Sequence, residues 1–122
     1  MPYEVLDWAR DMTAAAKQSV EVPREQWPAA IREYFLARYG TPAEAKWHAD
    51  RVGAAMAYLD QYSRSFEASG YALASSKGGV MSRYLVLALG RFFGLAEDIS
   101  HPPEPELFIQ AAEEEERNER EG

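Results

Sequence analysis

From Val80 to Phe93 the chain is apolar on almost every face of a helix: Val80, Met81, Leu85, Val86, Leu87, Ala88, Leu89, Phe92 and Phe93 leave Ser82, Arg83, Tyr84 and Arg91 as the polar exceptions. A helix of this kind is stable in water only when other elements cover it, so the rest of the chain must supply amphipathic partners around it. Its continuous apolar run, Tyr84 to Gly90, is seven residues long. A membrane-spanning helix needs roughly 20, so this is a core segment.

Four further segments carry helical periodicity, and none alternates with the period of a strand. The first opens at Pro2 and places Val5, Trp8, Ala9, Met12, Ala15, Ala16 and Val20 on one face, opposite Glu4, Asp7, Asp11 and Lys17, and ends before Pro23. The second runs from Arg24 or Pro28 to Tyr39, with Gly40 where a left-handed C-cap belongs. The third has the clearest start: Thr41-Pro42-Ala43-Glu44 supplies an N-cap hydroxyl, a proline at the first helical position and a capping-box glutamate. Its pattern continues to about Glu67, and Gly70 ends it. The apolar segment, from about Gly79 to Phe93, is fourth, capped by Gly94. After Pro102, Pro103 and Pro105 a fifth begins, with Leu107, Phe108 and Ala111 as its docking side chains before the chain turns Glu-rich. The expected fold is all-α: a compact bundle of four to five helices over residues 1–112 with the apolar helix at its centre, and an acidic helical extension over 113–122.

The formal net charge is −7, and its position matters more than its size. Residues 1–96 hold ten acids and eleven bases, whereas residues 97–122 hold ten acids and only Arg117 and Arg120. A near-neutral body therefore carries an acidic end able to meet a basic partner. The acids singled out for that role are Glu113, Glu114, Glu115, Glu116 and Glu119. Among the 15 aromatic residues, Tyr3, Trp27, Tyr39 and Tyr71 lie at segment ends, and Trp27 and Tyr71 are the expected interface anchors.

Lys77, Arg83, Tyr84 and Arg91 share an arc of the apolar helix, a basic stripe that suits an anion or a nucleic acid, with Arg51 and Arg64 as possible additions. The alternative is that these arginines pair with carboxylates of the body such as Glu33 or Asp60. Lys77-Gly78-Gly79-Val80 resembles the opening of the phosphate loop of partition-type ATPases, but the resemblance covers four residues. Met81-Ser82-Arg83 stands where that loop needs glycine, lysine and a hydroxyl residue, and no strand leads into it, so nucleotide hydrolysis is not expected. The small residues Gly79, Ser82, Gly90 and Gly94 permit close helix approach within the bundle or across a dimer.

Chemistry has little to work with. There is no cysteine, and the two histidines stand in pairs, Glu44/His48 and Asp98/His101, that offer two metal ligands each. No cofactor and no metal is expected, and no enzymatic activity. The acidic start Met1 to Asp7 shows neither a signal peptide nor a transit peptide, which points to the cytoplasm and to no membrane partner. The functional expectation is a non-enzymatic interaction protein, monomer or homodimer. It acts as an inhibitor or adaptor that docks on a larger partner's basic surface, as small inhibitors encoded by mobile elements do. The alternative is a helical subunit of a nucleoprotein complex that touches nucleic acid through the basic stripe.

Overall fold

The computed structural model describes residues 4–19, 21–71 and 82–121. Six α-helices account for them, and there is no strand among the described residues. In order they are α1 (Val5–Ser19), α2 (Trp27–Arg38), α3 (Pro42–Gln61), α4 (Ser63–Ala68), α5 (Arg83–Leu89) and α6 (Pro105–Glu121). A 3₁₀ turn (Arg24–Gln26) leads into α2, and a π-helical turn (Gly90–Gly94) extends α5. The all-α bundle expected from periodicity is the fold observed, and no helix is long and apolar enough to cross a membrane among the described residues.

Local signals explain most boundaries. The Thr41 hydroxyl accepts from the backbone N–H of Glu44 at 3.2 Å, the capping half of the expected box. Pro28 falls in the first turn of α2, where its missing N–H leaves no hydrogen bond unmade. Gly70, at φ +90°, ends α4 in the left-handed region that glycine tolerates. Gly40 does not take that conformation, because α2 is closed instead by Tyr39 in an extended conformation.

Two boundaries depart from the periodic pattern. The third segment is two helices, broken at Tyr62 (φ −108°, ψ 28°). The break turns the chain so that Tyr58 and Leu59 of α3 and Phe66 of α4 all reach one core. The apolar segment, in turn, widens into a π turn at Gly90–Gly94. Trp8 of α1, 1% exposed, lies across both glycines, and a Cβ at either position would collide with its indole ring. The Trp8 indole also donates to the Val86 carbonyl at 3.2 Å. Gly94 thus serves as a seat for Trp8 rather than as a helix cap, and this close approach lies within the bundle.

The core joins α1, α2 and α3 to α5 and α6. Tyr58 is its aromatic hub, with Tyr62, Phe66, Phe93 and Phe108 around its ring and its hydroxyl donating to the Pro103 carbonyl at 2.7 Å. On α6 the docking side chains are Phe108, Ile109 and Ala112, whereas Leu107 is 55% exposed. The expectation that Leu107 docks is corrected: burying Phe108 and Ala112, four apart, turns Leu107 outward. Residue 113 marks no break in α6, which continues to Glu121 along α5 and α4.

Candidate functional site

The basic stripe and the acidic end, which the sequence presents as separate features, face each other across the α5 and α6 seam. Arg83 pairs with Glu119 at 3.1 Å, and Arg91 pairs with Glu115. The Tyr84 phenol is raised above the ordinary tyrosine range by a hydrogen bond to the same Glu119. Glu116 is spanned by Arg120 at 3.1 Å. The stripe arginines thus do pair with carboxylates, but those of α6 rather than Glu33 or Asp60. Asp60 is held by Arg24 at 2.5 Å. Lys77 lies outside the described residues.

With Glu115, Glu116 and Glu119 so engaged, Glu106, Glu113, Glu114 and Glu121 are exposed and form no ion pair among the described residues. Exposed Leu107 lies between the first of these and the rest. The outer side of α6 is therefore a predominantly acidic surface, with the exposed Arg117 among the acids and one large apolar side chain in it.

The aromatic anchors fare differently from one another. Tyr71 is buried, 8% exposed, and its hydroxyl is pushed up first by desolvation and then by Glu113 and Glu116. That burial corrects its expected role as an exposed anchor. Tyr39 is half-buried, and its hydroxyl donates to Asp11 at 2.5 Å. Tyr3 is outside the described residues. Trp27 is partly buried against the core: its indole donates to the Val22 carbonyl at 3.2 Å, and it lines a groove between α2 and α3.

That groove has a volume of about 360 Å³. Trp27, Pro28 and Ile31 of α2 form one wall, and Ala49, Gly53 and Ala57, each four residues on from the last, form the floor on α3. Gly53 sits in the middle of a 20-residue helix, where glycine costs about 1 kcal/mol relative to alanine. A Cβ built on it would meet nothing within 4 Å. Arg24, Arg32, Asp50 and Asp60 stand at the rim.

A third polar cluster was not legible in the sequence. Asp11, placed with the solvent-facing acids of the first segment, is fully buried. Its carboxylate accepts from Arg38 Nε at 3.1 Å and from the Tyr39 hydroxyl, tying α1 to the end of α2. Burial and the Asp11 hydrogen bond push the Tyr39 hydroxyl up to about 12. His48 of α3 stacks on Tyr39 with ring centroids 4.0 Å apart, and desolvation lowers its pKa despite the nearby Asp11 and Glu44. His48 is thus a stacking partner, and His101 contacts the Ser100 hydroxyl at 3.0 Å. No group of three His, Asp or Glu side chains could hold a metal ion among the described residues.

Arg51, counted among possible nucleic-acid contacts, is also internal. It is 8% exposed, donates to the carbonyls of Phe93 at 3.1 Å and Glu97 at 3.4 Å, and lies under the Trp47 ring at 4.2 Å. It satisfies carbonyls at the end of the π turn, where a helix leaves acceptors over. Arg64 is exposed. No protein-family model matches this chain, and no curated protein or solved structure matches it.

Proposed function

We propose that this protein is a non-enzymatic interaction module of the cytoplasm, an inhibitor or adaptor that docks on a larger protein through the outer side of α6. The observation that carries this reading is the division of charge on that helix. Its inward acids neutralise the arginines of α5, and the surplus, Glu106, Glu113, Glu114 and Glu121, faces solvent around exposed Leu107. An apolar side chain set among four acids with the single base Arg117 between them leaves a net acidic surface that suits a basic partner: the charges steer the encounter and the apolar contact adds affinity. The partner's basic surface is of the kind that binds nucleic acid, as it is for small inhibitors encoded by mobile elements. The nucleoprotein alternative is not adopted, since Arg83 and Arg91 already have carboxylate partners.

The test is a pull-down with the tagged full chain from nuclease-treated lysate of the source cells, comparing it with the Glu106→Gln/Glu113→Gln/Glu114→Gln variant. A stoichiometric protein retained by the parent and lost by the variant, with retention falling as salt rises, supports the reading. Equal retention by both contradicts it.

A further inference from the structure

The groove between α2 and α3 is independent of the α6 surface and has a ligand chemistry of its own. Its wall and floor are apolar, and its volume of about 360 Å³ falls within the range of small-molecule sites. The floor is open because Gly53 carries no side chain where the fold leaves room for one. No contact inside the described molecule requires glycine there, and glycine is a poor helix former.

The rim charges are not equivalent. Arg24, just before Trp27 in the chain, is bound to Asp60 of α3 at 2.5 Å, so its charge is already taken. Asp50 is bound to Lys46 at 2.6 Å. Arg32 lines the same groove, is exposed, and pairs with no acid among the described residues. The groove therefore offers an indole face, an apolar floor and one uncommitted guanidinium, a donor whose planar fork matches a carboxylate.

We propose that this groove binds a small apolar monocarboxylate, with the apolar body between Trp27 and Gly53 and the carboxylate on Arg32. The probe is 1-naphthaleneacetate, titrated into the full-length protein and followed by ¹H–¹⁵N spectra. Its neutral amide, 1-naphthaleneacetamide, serves as the charge control. The expected result is saturable binding with a Kd of about 1 mM or tighter, with shifts centred on the Trp27 indole, Ala49, Gly53 and Ala57. Replacing Arg32 by Gln, or the acid by the amide, should weaken binding about fivefold, as expected for an exposed charge pair. Gly53→Leu fills the floor and should abolish binding while helix content is kept, and Ala57→Met is a second, milder way to fill it. The proposal is overturned by the lack of any saturable shift up to about 10 mM probe, a concentration that would reveal even millimolar affinity. It is equally overturned if both filled variants bind as the parent does, or if acid and amide bind alike.

Discussion

Two seams in this molecule are built from the same chemistry, a guanidinium on a carboxylate, and differ in how much water they see. At the α1, α2 and α3 junction, Asp11 is wholly buried and receives Arg38, whose side chain is 40% exposed, and the Tyr39 hydroxyl. At the α5 and α6 seam, the side chains of Arg83 and Arg91 are 70% and 61% exposed over Glu119 and Glu115. A buried carboxylate depends on its donors because it has lost its hydration. An exposed pair exchanges one solvated state for another and contributes little. The first seam therefore fixes how helices meet, and the second leaves the last turns of α6 lightly held.

Removing two of the donors to Asp11, with Arg38→Met and Tyr39→Phe together, leaves the buried carboxylate with Arg10 at 3.7 Å and should cost about 3 kcal/mol in chemical denaturation. A loss below about 1 kcal/mol would mean that water or Arg10 takes their place. Tyr39→Phe alone removes one hydrogen bond to a buried charge, and the expected loss is about 1 to 3 kcal/mol.

The pH dependence separates the seams further. Burial lowers His48 below the ordinary histidine value, so the unfolded chain binds its proton more readily. Stability from His48 is then complete above pH about 6.5 and declines as the pH falls beneath it. The unfolding midpoint of the parent should fall relative to that of His48→Phe, which keeps the ring stack, as the pH drops below about 6.5. Tyr39 works in the opposite direction: its hydroxyl is raised to about 12, so its contribution is intact below pH 10 and is lost as the pH climbs from 10 to 12. The smallest effect belongs to the exposed seam. Glu115→Gln with Glu119→Gln should cost no more than about 1 kcal/mol for each pair, measured by the same denaturation.

Much of the architecture was legible in the sequence, because short-range rules govern it. Thr41 announced the start of α3, Gly70 the end of α4, and apolar periodicity the six helices as five segments. The rest depended on partners distant in the chain. Asp11 lies at the edge of the buried stripe of α1, where a carboxylate reads as solvent-facing until donors 27 and 28 residues away are known. The π turn and the glycine seat needed Trp8, and the mutual engagement of stripe and acidic end needed the register of α6 against α5. A helical wheel contains none of these distances. Trp27 stands out in the sequence by its place at a segment end, but the groove it lines arises only where α2 meets α3.

The most direct test is a pair of double-mutant cycles, Arg38/Asp11 and Arg91/Glu115, each run at low salt and at about 1 M sodium chloride, where the screening length falls to about 3 Å. The account requires a coupling for Arg38/Asp11 that is several times the larger and survives salt, and a coupling for Arg91/Glu115 below about 1 kcal/mol that vanishes. Equal couplings, or an Arg91/Glu115 coupling that persists in salt, would show that α6 is locked down as firmly as the buried junction, and would contradict it.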